Sequence, residues 1–326
     1  MGKMTMVQAI NLALKQEMER DDNVIVLGED VGKDGGVFRV TEGLVDKFGE
    51  DRSLDTPLAE SCILGMSVGM AIYGLRPVCE IQFSGFSYLG FHQIECHASR
   101  FRWRSRGRFH IPLVLRAPYG GGVRALEHHS ESREAYYAHT PGLKMVIPSG
   151  PRNARALLVS AIRDPDPVIF FEPKASYRAF REEVPEEEET IPLGKSQLVR
   201  EGKDLTMISY GAMMRPTLEA ADALQKEEGV ESEVIDLLTI SPMDDEIFVK
   251  SVRKTGHAMI IHEAPRSFGA GAEVVSRLME KAFYYLEAPI ARVTGFDIPI
   301  PYFSREKAYI PGVRRILGAA KKSLRA

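Results

Sequence analysis

The chain has 326 residues, 44% of them hydrophobic and 27% charged, which suits two ordinary domains and excludes a disordered or fibrous protein. Its net charge of −3 gives no general attraction to nucleic acid or to an anionic membrane. No apolar run reaches the ~18 residues of a membrane span, and the amino-terminal stretch has no signal-peptide core.

In chain order, a helix is predicted over 5–19, followed by the strand NVIVLGE at 23–29. A long helix over 57–74 follows DTPLAES, with Thr56 as its cap and Pro57 at its first position. Next come the strands PVCEIQF (77–83), PLVLRAP (112–118) and KMVIPS (144–149), the helix 151–163 and the strand PVIFFEP (167–173). Unbroken apolar strands separated by helices predict a parallel sheet covered on both faces. The acidic run EEVPEEEETIP (182–192) reads as a solvated linker. Beyond it, strands at 204–211, 230–238, 257–264 and 289–295 alternate with helices at 215–228, 244–254 and 270–286. The expected fold is α/β with two doubly wound domains, residues 1–185 and 204–326, joined by a linker and crossover over 186–203. Cys62, Cys79 and Cys96 form no C-x-x-C pair and read as reduced, packed thiols of a cytoplasmic protein.

One residue in the 57–74 helix is out of place. Glu60 is the sole charge between Asp55 and Arg76, in a segment whose neighbours suggest burial. A capping-box acid belongs one position earlier, where Ala59 stands. Buried carboxylates need a partner, structural or functional, and the pattern leaves both open. Phe83, Phe86, Tyr88 and Phe91 crowd a strand-to-loop junction, the kind of place where α/β sheets bind ligands. Three of the four read as core, and one as a stacking surface. His128 and His129 follow the glycine run YGGGV (119–123) and are acid/base candidates, without the spacing of a zinc site. RFRWRSRGR (100–108) carries five arginines around Trp103, a single-strand nucleic-acid pattern opposed by the net charge and by the lack of a second basic cluster. Gly269 and Gly271 in HEAPRSFGAGAEVV form no complete dinucleotide fingerprint, because Val274 stands where the third glycine belongs. A self-sufficient NAD-binding oxidoreductase is the rival that this turn would serve.

The stretches GEDVG…GGVFRVTEGL, DTPLAES, GLRPVCEIQF, HSES…AHTPGLKMVIPS, DPDPVIFFEPK and EAP…FGAGAEV occur together and in one order. As a set they closely resemble the β subunit of the thiamine-diphosphate-dependent decarboxylating component of 2-oxoacid dehydrogenase complexes, over essentially the whole chain. The resemblance implies a transketolase-like architecture, with a pyrimidine-binding domain followed by a transketolase C-terminal-type domain. It makes Glu60 the glutamate that shares a proton with the cofactor's aminopyrimidine, with Glu29, Leu58, Gln82 and the stacking ring of Phe86 lining the same pocket. His129 becomes the histidine that orients substrate and assists proton or acyl transfer. Leu113, Ala161, Asp164 and Asp166 match a structural potassium site of relatives.

The G-D-G motif through which such enzymes hold Mg²⁺ and diphosphate does not occur in this chain. The resemblance therefore implies half an active site, completed by an α subunit in a heterotetramer of two α and two β chains. The expected activity is oxidative decarboxylation of a 2-oxoacid, with acyl transfer to lipoyl groups of an acyltransferase core that binds through its subunit-binding domain. FFEPK and H-S-x-S lean towards branched-chain substrates, with pyruvate or acetoin enzymes as the alternative.

Overall fold

The computed structural model describes residues 2–326; Met1, the first residue of the expected amino-terminal domain, lies outside them. The chain opens with β1 (Gly2–Met4), α1 (Met6–Arg20), β2 (Val24–Gly28), α2 (Leu44–Phe48), β3 (Ser53–Asp55) and α3 (Glu60–Ile72). It continues through β4 (Arg76–Glu80), α4 (Ser99–Arg104), β5 (Val114–Tyr119), α5 (Glu134–Ala138), β6 (Lys144–Val146), α6 (Pro151–Arg163), β7 (Val168–Pro173) and β8 (Glu182–Val184). The remainder forms β9 (Gln197–Arg200), β10 (Leu205–Ser209), α7 (Met214–Glu228), β11 (Ser232–Asp236), β12 (Thr239–Ser241) and α8 (Asp245–Thr255). Last come β13 (Ala258–Ile261), α9 (Ala270–Ala282), β14 (Ala291–Val293), α10 (Glu306–Tyr309) and α11 (Val313–Ser323).

Two α/β units result. The first sheet has the order β12-β6-β7-β5-β4-β2-β3, parallel except for β12. The second has the order β14-β13-β10-β11-β9, parallel except for β9. The apolar strands are buried on both faces, as parallel strands under helices must be. On one face of the first sheet, α1 packs against α6 over Ile10, Leu14, Leu157 and Ile162. Thr5 starts α1 with a capping box closed by Gln8. On the opposite face, Ile63 and Leu64 of α3 join a cluster that runs on through Tyr119 and Phe171 to Ile208, Ile235 and Phe248 of the second unit. One apolar core thus spans both units.

Three expectations need correction. The helix predicted over 57–74 begins only at Glu60, because the Thr56 amide donates to the Gly28 carbonyl at 3.0 Å and keeps the chain extended beside β2. That helix is also not wholly interior: Leu58, Ser61, Cys62, Gly69 and Tyr73 face outward and are exposed. Cys62 is therefore an exposed thiol, whereas Cys79 is buried and its thiol is pushed up to about 12 by burial. The acidic run at 182–192 is exposed for the most part but is not free. Glu182–Val184 pairs with Gly2–Met4, Arg163 holds Glu188 at 2.6 Å, and Arg152 holds Glu189 at 2.7 Å.

Candidate active site

Glu60 heads the inward stripe of α3, the one formed by Glu60, Ile63, Leu64, Ser67, Val68 and Ala71, which is why a charged residue here is buried. The Ala59 carbonyl accepts from the Cys62 and Ile63 amides, so the carboxyl sits in the first turn, where the helix dipole favours negative charge. Glu29, just past β2, is buried close by. Loss of solvent raises its pKa first, and the neighbouring Glu60 and Asp30 charges raise it further. Gln82 follows β4 and donates to Asp30 at 3.3 Å. These residues gather at the carboxyl ends of adjacent parallel strands, where open α/β sheets bind ligands.

The loop after β4 carries the aromatic junction and runs up to the start of α3, where a Cβ on Gly90 would lie 2.9 Å from the Glu60 carbonyl oxygen. Phe83 and Phe86 lie 5.8 Å apart, and the His129 ring sits edge-on to both, at 4.4 Å and 5.2 Å. His129 is half-buried while His128 is exposed, so geometry separates two residues that sequence left adjacent. Burial lowers the His129 pKa, and the Lys174 and His128 charges lower it further against the opposing pull of Glu127. Its imidazole is neutral at pH 7. Gly85 permits this arrangement, because a Cβ there would collide with the His128 carbonyl. Leu58 stands on the rim, 78% exposed.

Two buried polar atoms at this edge, Glu29 Oε1 and His129 Nδ1, have no hydrogen-bond partner among the described residues. Buried polar atoms are normally satisfied. A ligand with donor and acceptor nitrogens and a flat ring, as an aminopyrimidine has, fits a site of two carboxyls, an amide and an aromatic wall. Sequence reading missed Phe83, taken as core, and Lys174, which is 3% exposed and pushed down to about 8 by burial. A lysine directly after an apolar strand was the available signal.

The four residues matched to potassium meet near the end of α6, but their carboxylates are occupied. Lys144 Nζ lies 2.6 Å from both Asp164 oxygens, and Arg102 lies 2.6 Å from Asp166. The Leu113 carbonyl accepts from Val168, and the Ala161 carbonyl from Asp164. These side chains offer a cation no open carboxylate, and no chemistry is assigned to potassium. Three of the five arginines in the cluster are also tied to their own chain: besides Arg102, Arg100 pairs with Glu95 and Arg104 donates to the Cys96 carbonyl. The Gly269–Gly271 turn has a packing explanation, since a Cβ at either glycine would strike the buried His262 ring.

Residues 2–179 match the transketolase pyrimidine-binding domain and residues 194–316 the transketolase C-terminal domain. The chain is 50% identical to the pyruvate dehydrogenase E1 component subunit beta of Acholeplasma laidlawii, over 100% of this chain and 99% of that one. It is 49% identical to the protein of the same name from Bacillus subtilis (strain 168), over 99% of each chain. Among solved structures, a split-gene transketolase described as an inactive beta4 tetramer superposes with a TM-score of 0.82 at 22% identity, covering 99% of both chains. That likeness carries the fold alone.

Proposed function

This chain belongs to the transketolase-like β subunits of thiamine-diphosphate-dependent 2-oxoacid dehydrogenases, and we propose from that premise that its substrate is pyruvate. The observation that carries the reading is end-to-end identity of about half with chains named for pyruvate. It outweighs the two short stretches that leaned towards branched-chain substrates.

Thiamine diphosphate, when bound, would supply a nucleophilic thiazolium carbon for the 2-oxoacid carbonyl and an aminopyrimidine to take up that carbon's proton. In our reading Glu60 holds a proton at the pyrimidine ring nitrogen, which favours the imino form. Glu29 lies beside it, its pKa raised by burial first and then by the Glu60 and Asp30 charges. Phe86 would offer the ring a stacking surface, and Leu58 and Gln82 would border it. His129, neutral and braced by Phe83 and Phe86, orients the 2-oxoacid and moves a proton at its imidazole.

The wall is one-sided: Leu58 on its rim is open, and no G-D-G motif is present to hold Mg²⁺ and diphosphate. An α subunit completes it in a heterotetramer of two α and two β chains, and the acyl group passes to lipoyl groups of an acyltransferase core. Co-expression with candidate α chains, followed by assays on pyruvate and 2-oxoisovalerate, tests this reading. The expected result is pyruvate decarboxylation by the assembled protein and none by the isolated chain with thiamine diphosphate and Mg²⁺. Turnover by the single chain, or preference for 2-oxoisovalerate, overturns it.

A further inference from the structure

The glycine run Tyr119–Val123 has no role in the site just described, yet close neighbours constrain it at each of its three glycines. Gly120 and Gly122 have φ of +78° and +93°, where glycine is favoured. A Cβ on Gly120 would strike the Glu263 carboxylate. One on Gly121 would lie 2.7 Å from Ile310 Cδ1 and 2.9 Å from Ile300 Cδ1. The loop is built to lie flush against the carboxy-terminal unit.

That unit grips the loop at successive backbone groups. The Gly121 amide donates to Glu263 Oε2 at 2.8 Å. The Gly122 amide donates to Glu306 Oε1 at 2.9 Å, and the Arg124 amide to Glu306 Oε2 at 3.1 Å. Lys174, from the first unit, donates to the Gly120 carbonyl. Glu263, Glu306 and Lys174 are each 3% exposed, a costly arrangement unless the charges offset one another and are hydrogen-bonded. Burial pushes Glu263 up and Lys174 down, and each of the two charges favours the other's charged form. Outside this triad, Arg124 stacks its guanidinium 5.3 Å from the Phe303 ring.

The gripped segment leads to His129. Its base is closed by the Gly120 amide donating to the Glu131 carbonyl at 3.0 Å, and Ser84 donates to the same carbonyl at 2.9 Å. Between those ends, the His129 amide donates to the Leu126 carbonyl at 3.0 Å. The loop is therefore pinned where it closes and where it reaches the second unit, with His129 between.

We propose that Glu306, assisted by Glu263, is a positioning residue for the reaction: it clamps the 120–124 backbone from the carboxy-terminal unit and so holds the His129 imidazole against Phe83 and Phe86. This deepens the proposed function and rests on it for the role of His129, whereas the clamp itself does not. Neither glutamate touches the reacting atoms. Each acts through the loop.

The test uses the assembled αβ protein carrying Glu306→Ala or Glu306→Gln. Glutamine retains an oxygen that accepts from the Gly122 and Arg124 amides, whereas alanine leaves both unpaired. The readouts are tryptic cleavage after Arg124, followed by fragment mass, together with kcat, KM and thermal unfolding. Glu306→Ala is expected to speed cleavage after Arg124 by about 10-fold or more and to lower kcat by a similar factor with KM little changed. Glu306→Gln should recover most of both. Wild-type cleavage in Glu306→Ala overturns the clamp. So does a glutamine variant no better than alanine, or a loss of kcat that merely follows the folded fraction. If the wild-type assembly decarboxylates no 2-oxoacid, the functional reading fails, while the cleavage comparison still decides the clamp.

Discussion

At the scale of single residues, Glu60 was legible as an anomaly, because one carboxylate in an apolar segment demands a partner. Its use was not legible from the segment, since Glu29, Phe83 and Phe86 arrive from distant positions. Replacing Glu60 with Gln keeps size and hydrogen-bonding capacity but removes the shared proton. Decarboxylation by the αβ assembly should fall by about 10²-fold or more, ~3 kcal/mol of barrier, with thermal unfolding unchanged. A wild-type rate in a destabilised variant would return Glu60 to a structural role. The residues alone left His128 and His129 open and the resemblance chose His129; the structure half-buries His129 against Phe83 and Phe86 and leaves His128 exposed. His129→Ala should cost about 10²-fold in turnover, and His128→Ala far less. Because the His129 pKa is lowered, the neutral imidazole persists as pH falls through 6.5. The acid limb of kcat/KM should therefore lie below that pH and disappear from the residual activity of His129→Ala.

Elements were easier to find than to delimit. The five strands predicted for the first unit all occur, because buried parallel strands write themselves as apolar runs. β1, β3, β8, β9 and β12 were missed, each only three or four residues long and without an apolar run of its own. The start of α3 was misplaced because capping chemistry at Thr56 and Pro57 lost to the pairing of the Thr56 amide with Gly28. Across β4, β5 and β7, Arg116 joins Glu80 at 2.8 Å and Glu172 at 2.7 Å, all fully buried. Arg116→Met would leave the buried Glu80 carboxylate without its partner and Glu172 with only the Tyr177 hydroxyl, and should cost about 3–5 kcal/mol, read as a fall in the unfolding midpoint at neutral pH. After β13, His262 is buried beside Tyr210, and burial pushes its pKa from 6.5 down to about 4. Between those values the unfolded chain binds a proton that the folded chain does not. The His262 contribution is thus present above pH 6.5 and lost as pH falls towards 4, by up to about 3 kcal/mol. His262→Phe should flatten the acid side of the stability profile relative to wild type; parallel profiles would contradict this.

At the scale of the whole molecule, two alternating α/β halves were legible in the order of strands and helices, and the junction between them was not. The core shared by Phe171 and Ile235, the glutamates on the glycine run and the antiparallel pairing of β12 with β6 all join residues far apart in the chain. Leu58 and Tyr73, exposed apolar side chains just before and just after α3, mark the side on which a further chain is proposed to sit. The placement of β12 has a consequence for anyone cutting the molecule in two. Thr239–Ser241 belongs by sequence to the second half but forms the edge of the first sheet. A fragment ending in the acidic run would fold, if it folded, with β6 as a bare edge and its backbone amides and carbonyls open to any strand. Such a piece should self-associate through β6 in solution, while in the full chain β12 occupies that edge. The halves are thus not modules to be exchanged like beads: the second finishes the first.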